Sequence, residues 1–490
     1  MPIKLHRVSA AMRAAGRLSA LVGLLTLLGG SLPGIERPLA GLDLAWETLP
    51  AQDEEGRPLG ALVWSALTDP ATASPARPVM VVFNGGPGAA SGWLQLGLLG
   101  PLQVSLPPQS GADMPAVPPL RIAERGLAAQ ADMLFVDPLD TGFSRRDPAV
   151  APDRVRTGAA DGAYLARAVA TWLVRHGRQS SPVIVLGESF GAERAVAVAE
   201  AWQRDTPWVR LTGIAMISQT VLNETDLRDA DRFQALAMGL PTLAATACYH
   251  RRATVGPHDP LACADAAAQL AEGAYLHALR HGAVRRDTAE RLARLTALKP
   301  AAIRSASPTV DRQQFRLSLL HGQGLALGLY DSRQAARLDD PRGWRDPSLA
   351  PLVPALSEAM QRYNQQLLGL ARSPVDGSRY ILYNPAVRRT WRAGGPPSSS
   401  GYALADRLGA VLRRSRAGLL LASGVFDSVG GYGADRVLAD RLALPPGRVV
   451  IAGYRAGHML YLDGASRAAF LLRLSAFVAR VGGTSQDMPI

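Results

Sequence analysis

Short, uninterrupted apolar runs alternate with longer amphipathic stretches along most of this chain. Val79–Phe83 and residues 132–137, 182–186, 211–217, 418–423 and 448–452 are brief and rich in Val, Ile and Leu, the pattern of strands buried on both faces. Residues 158–176, 192–203, 402–415, 433–442 and 463–480 read as helices between and after them. Strand and helix in alternation predict a mostly parallel central sheet covered by helices. Ahead of this core, Leu42–Leu49 and Leu59–Leu67 flank the polar turn Asp53-Glu54-Glu55-Gly56 and predict a hairpin. The pattern changes near Asn223. From there to about Ser373 helical stretches dominate (228–238, 261–281, 287–298), and no strong strand run appears. The expected organisation is therefore a core in two parts, 41–222 and 386–490, with a helical cap inserted over 223–385. Residues 374–390 carry no clear pattern, Gly394–Gly401 is a loop by composition, and no internal repeat is visible.

The chemistry concentrates where strands end. Val183-Ile184-Val185-Leu186 runs into Gly187-Glu188-Ser189-Phe190-Gly191 and then a helix. A strand, a tight turn with serine at its tip, and a helix form a nucleophile elbow, and the expected fold is an α/β-hydrolase. The flanking glycines answer a steric need, since side chains there would meet the neighbouring strand and helix. In that fold an acid and a histidine follow the serine in chain order. Asp427 lies just past the strand 418–423, and His458 follows the strand 448–452. Asp435 and Asp440 also follow in the chain but fall inside the next helix, and the seven other histidines all precede Asp427. Ser189 as nucleophile, His458 as general base and Asp427 as orienter form the expected triad. The run Val79–Phe83 ends in Asn84-Gly85-Gly86-Pro87-Gly88, a glycine-rich loop suited to an oxyanion hole. The backbone N–H groups of Gly86 and Phe190 are its expected donors.

At these positions the chain resembles the serine carboxypeptidase family. Asn-Gly-Gly-Pro-Gly at 84–88, Gly-Glu-Ser-Phe-Gly at 187–191, Ser-Gly-x-x-Asp at 423–427 and Ala-Gly-His-Met at 456–459 are similar to its hallmark blocks. Leu134-Phe135-Val136-Asp137 with Thr141-Gly142-Phe143-Ser144 is similar to a fifth, and residues 240–250 resemble a segment of bacterial members. The resemblance implies removal of the C-terminal residue from peptides, the partner being a peptide with a free terminal carboxylate. It also implies that Asn84 and Glu188 bind that carboxylate, which a glutamate does as a donor only when protonated. Ala89, Ala90, Phe190 and Ala192 depart from the family's usual residues without removing a catalytic side chain. An esterase or acyltransferase on the same scaffold is the second reading. An inactive binding protein that keeps the fold is the third.

Composition adds compartment and excludes one partner class. The 490 residues carry a formal charge of +12. Lys4, Arg7, Arg13 and Arg17 precede the apolar stretch Leu18–Gly30, which is too short to span a bilayer and reads as an export signal, here placed at 1–31. Ser31 and Ala40 offer cleavage positions. Loss of those four cations leaves +8, and the remaining arginines are scattered without interleaved aromatics, so no nucleic-acid partner is expected. The expected location is periplasmic or extracellular, with no stable membrane span after processing. Cys248 and Cys263 are the two cysteines, and in an exported chain they are the expected disulfide. His277 and His281, four apart, lack the glutamate of a His-Glu-x-x-His metal motif, and neither metal nor other cofactor is expected.

Overall fold

The apolar runs become the interior of one nine-stranded sheet. In this computed structural model the described residues are 41–106, 114–222, 227, 231–256, 258–282, 284–305, 312–340, 345–392 and 402–483; the expected export signal lies outside them. The sheet comprises β1 (Asp43–Gln52), β2 (Pro58–Thr68), β3 (Val79–Phe83), β4 (Asp132–Phe135), β5 (Arg145–Arg146), β6 (Val183–Glu188), β7 (Leu211–Ile217), β8 (Gly418–Gly424) and β9 (Val449–Tyr454). Their order across the sheet is β1-β2-β4-β3-β6-β7-β8-β9, with the short β5 paired to β2. The strands from β4 to β9 in this order run parallel; β2 is antiparallel to both its neighbours, so β1 runs in the same sense as the core. This is the strand order and sense of an α/β-hydrolase core.

Burial explains why these runs were legible. β3, β6 and β8 are buried at every residue, whereas the edge strand β9 is mostly half-buried. One face packs against α1 (Gly158–Arg175), α2 (Phe190–Asp205), α7 (Ala403–Ser415) and α8 (Tyr432–Leu442), which share a core through Tyr164, Trp172, Trp202, Leu408 and Leu438. The last helix, α9 (Gly464–Gly482), lies against β7 and β8, where Gly213 and Gly418 leave room for Phe477. Side chains cap helix starts at Thr157, Asp231, Asp259 and Asp463, each contact worth about 1 kcal/mol.

Between β7 and β8 the chain is chiefly helical, with α3 (Arg232–Tyr249), α4 (Pro260–Leu270), α5 (Arg286–Thr296) and α6 (Leu352–Leu368) as its main helices. It has a core of its own, including Leu240, Leu243, Tyr275, Leu292 and Phe315. The helix expected over 261–281 is interrupted: backbone at 271–275 leaves α-geometry around Gly273 before residues 276–280 resume it. Residues 380–384, patternless in sequence, run as extended backbone over the core loops. Tyr383 bridges Ala89, and Ile381 exchanges two hydrogen bonds of 2.8 and 3.0 Å with Gly142. Among the described residues no helix is long and apolar enough to cross a membrane.

Candidate active site

Ser189 sits at the tip of a backbone turn that most residues avoid. Its φ is 56° and its ψ −127°, between the end of β6 and the first turn of α2. A residue in that region is held there by its surroundings. The Ser189 N–H donates to Ile217 O at 2.9 Å, and its C=O accepts from Ala192 N at 2.9 Å. The flanking glycines are required by contact. A Cβ on Gly187 would lie 2.2 Å from Gly191 O, and one on Gly191 would lie 2.7 Å from Phe83 O.

Asp427 and His458 arrive from the ends of β8 and β9. His458 Nδ1 is 2.9 Å from Asp427 Oδ2, and both side chains are buried. The other carboxylate oxygen accepts from Val429 N at 2.7 Å and Gly430 N at 3.3 Å. Burial alone would raise the Asp427 carboxyl, but the imidazole's charge and hydrogen bond, with the Val429 N–H, outweigh it and hold the group below its ordinary value. Burial likewise opposes charge on His458, and the Asp427 charge overcomes it, so the imidazole is shifted up. The histidine loop is pinned on both sides. Its N–H donates to Tyr330 O at 2.6 Å, and its C=O accepts from Ser218 Oγ at 2.7 Å. Ser189 and His458 line one cavity; no hydrogen bond joins the serine hydroxyl to the imidazole among the described residues.

Beside the serine lies a buried pair, the Glu188 carboxyl and the Asn84 amide. Glu188 Oε2 accepts from Asn84 Nδ2 and from the Tyr461 hydroxyl, the latter at 2.8 Å. Asn84 Oδ1 accepts from Leu94 N at 3.2 Å. Burial pushes the Glu188 carboxyl up to about 7, against the lowering pull of His458 and of its hydrogen-bond donors. Behind Asn84 a fully buried ion pair fixes the loop. Arg194 Nε is 2.5 Å from Asp161 Oδ2, Arg194 also donates to Asn84 O, and the Tyr164 hydroxyl donates to Asp161 at 2.7 Å. Asp137, buried under Gly142, accepts from Ser91 N and Oγ at 2.8 and 2.6 Å and is pushed up to about 6 by burial, a brace for the neighbouring loops.

These groups open into a cavity of about 390 Å³. Asn84, Gly86, Glu188, Ser189, Phe190 and His458 all line it, and Asp427 stands behind His458. The Gly86 and Phe190 N–H groups donate to no protein acceptor among the described residues. Sequence reasoning missed Tyr461, buried behind Glu188, and the rest of the wall: Trp93, and Tyr330, Tyr383 and Arg388 from the segment between β7 and β8. Tyr461 lay within reach, three positions after His458. The others come from stretches with no period or motif.

The expected disulfide is a correction. No disulfide joins Cys248 and Cys263 in this structure. They face each other from adjacent helices as thiols, and burial first, then the Cys248 hydrogen bond, pushes the Cys263 thiol up to about 12. A protonated, buried thiol of that kind is a poor nucleophile for exchange. His277 and His281 stack ring on ring at 4.2 Å, and no set of three or more metal-ligating side chains occurs among the described residues.

The family model for Peptidase S10, serine carboxypeptidase, matches residues 66–235, which hold the Asn84 loop, the elbow and both their strands. Over those residues the chain is similar to the serine carboxypeptidase family. The coarse class that match supports is a serine-type hydrolase on an α/β-hydrolase scaffold. Comparison with curated proteins finds no match. Similar solved structures include a proline iminopeptidase of Mycobacterium smegmatis, 15% identical, covering 89% of this chain and 98% of that one at a TM-score of 0.39. A thermophilic esterase of Thermogutta terrifontis is 12% identical, covering 89% and 100% at 0.35. A peroxisomal α/β-hydrolase of Saccharomyces cerevisiae is 11% identical, covering 92% and 93% at 0.38.

Proposed function

We propose that this protein is a serine carboxypeptidase. The observation that carries the reading is the Asn84–Glu188 pair on the wall beside Ser189. Glu188 is buried and pushed up to about 7, so in mildly acidic solution it holds a proton. A protonated carboxyl can donate to a substrate carboxylate, and Asn84 has a second N–H to add. Burying a carboxylic acid beside a nucleophile serves little purpose for a neutral ester, and it suits a substrate that ends in a carboxylate.

In this mechanism Ser189 Oγ attacks the last peptide carbonyl while His458 Nε2 takes the hydroxyl proton. Asp427 holds the Nδ1–H tautomer and stabilises the imidazolium. The oxyanion is received by the Gly86 and Phe190 N–H groups, each such donor typically worth about 3 kcal/mol in the transition state. The imidazolium returns the proton to the departing amine, which leaves as the free amino acid. Water, deprotonated by the same imidazole, then attacks the acyl-enzyme and restores Ser189. The contact between hydroxyl and imidazole tightens as substrate settles, as is common for catalytic hydrogen bonds in unliganded enzymes.

The test uses three substrates with one acyl part: a blocked dipeptide, its C-terminal amide and a simple ester. Release of the terminal amino acid from the dipeptide, with the amide cleaved poorly, is the expected result. Cleavage of the ester alone would replace this reading by an esterase or acyltransferase. Ser189→Ala is expected to lower turnover about 10⁶-fold, the scale of removing a triad nucleophile, and to abolish labelling by a fluorophosphonate. Absence of labelling in the unaltered protein would indicate a binding protein.

A further inference from the structure

Arg388 lies on the wall of the same cavity, contributed by the segment that clasps the core loops. Its side chain reaches the cavity rim and is exposed there. Among the described residues it makes no ion pair with a carboxylate, which sets it apart from most arginines of this chain, and its side-chain hydrogen bonds go to the phenol oxygens of Tyr330 and Tyr383. The groups facing it are the phenols of Tyr330 and Tyr383, both also on the wall. Tyr330 in turn packs edge-on to His458, ring centroids 5.3 Å apart, so the cation stands one side chain from the triad histidine.

The acids nearby are already engaged. Glu193, the other carboxylate on the wall besides Glu188, accepts from the Thr220 hydroxyl at 2.7 Å. Asp346 accepts from Leu329 N at 2.7 Å and Ser348 N at 2.9 Å. Glu188 faces the Asn84 side of the cavity and is the group assigned to the terminal carboxylate. A guanidinium held by two phenols, unmatched by any carboxylate and with N–H groups beyond those the phenols take, is a site for a planar anion at a substrate cavity.

We infer that Arg388, with Tyr330 and Tyr383, selects peptides carrying an acidic side chain at the scissile end, in either the terminal or the penultimate residue. The inference rests on the carboxypeptidase reading. It adds a second anion site, distinct from the Asn84–Glu188 pair. Because Arg388 is exposed at the rim, the gain is modest and is screened by salt.

The experiment compares kcat/KM for matched blocked dipeptides with Glu or Gln in the terminal position, and again in the penultimate position. The unaltered protein is expected to prefer Glu at one of the two positions by about 3- to 10-fold. The preference should shrink between about 0.05 and 1 M salt, as the screening length falls to about 3 Å. Arg388→Gln should remove it, and Arg388→Lys should keep part of it. A Glu-to-Gln ratio near one at both positions, or a ratio that survives Arg388→Gln, would overturn the inference. So would an equal loss on Glu and Gln peptides in Arg388→Gln, which would instead assign Arg388 to the terminal carboxylate. The Gln peptides monitor the underlying reading separately. If neither is cleaved while esters are, the carboxypeptidase reading fails. The same ratio is then read on two aryl esters, with and without a carboxylate in the acyl chain, and the same outcomes decide.

Discussion

At the scale of single residues, the chemistry turns on where protons sit in a buried cluster. Glu188 is pushed up to about 7 chiefly by burial, and His458 is shifted up as well, by Asp427. In the proposed carboxypeptidase, peptide binding through Glu188 would require its proton, so kcat/KM for a peptide should fall as pH rises through about 7, approaching tenfold per unit. Glu188→Gln donates at every pH. It should bind peptide less well in acid and lose far less as pH rises, while an ester without a free carboxylate should show no such limb in either protein. A pH–rate profile for the two proteins checks this, and an unchanged limb in Glu188→Gln would remove Glu188 from carboxylate reading.

At the scale of elements, the site is assembled by backbone close approach. The elbow admits no side chain at Gly191, because a Cβ would meet the carbonyl oxygens of Phe83 and Asn84 at 2.7 and 3.0 Å, and main-chain atoms cannot swing aside. Gly191→Ala is therefore expected to part β3 from the elbow, lowering activity at least 100-fold and reducing stability, as read by turnover and a denaturant midpoint. The Arg194–Asp161 pair supports the same junction from beneath. Asp161→Ala leaves a guanidinium buried without its partner and should cost about 3–5 kcal/mol in chemical denaturation, whereas a loss below about 1 kcal/mol would mean that water or a shifted neighbour takes over. The elbow, the Asn84 loop and the strands β3, β6 and β8 were legible because their signals are local: an apolar run, then glycines at fixed offsets. The clasp at 380–384 was not, since its hydrogen bonds go to Gly88, Ala90 and Gly142, far away in sequence, and impose no period on it. Helix α6 was legible in principle, its buried Leu352, Ala355, Leu356, Ala359, Met360 and Tyr363 following three- and four-residue spacing, although its polar face hid it among loops. The cysteine pairing was half legible: the two positions do meet, but spacing and compartment cannot say whether the thiols are joined.

At the scale of the whole molecule, buried carboxyls with raised values set how stability depends on pH. Glu188 and Asp435 are pushed up to about 7 and Asp137 to about 6, in each case first by burial. Asp435 lies wholly inside α8, its oxygens without a partner at hydrogen-bonding length while the Ser423 and Gln219 side chains face them. A carboxyl whose folded value is raised contributes stability that is fully present below its unfolded value, near 4, and is lost as pH rises through the folded value. Each such group then removes at most about 1.4 kcal/mol per pH unit between roughly pH 4 and its folded value. Asp427 runs the other way: its lowered carboxyl stabilises above the unfolded value and loses that only as pH falls further, so it leaves the slope from pH 5 to 7 to the raised groups. His458, shifted up, adds to the decline once pH exceeds about 6.5. The unaltered protein should therefore melt at a lower temperature at pH 7.5 than at pH 5. Asp435→Asn keeps the shape and removes one titrating proton, so its melting temperature should fall less across that window, and Asp435→Asn with Glu188→Gln less again. Parallel melting curves for all three proteins would show that these carboxyls are already ionised in the fold at pH 5, which would also leave Glu188 without the proton on which carboxylate binding depends.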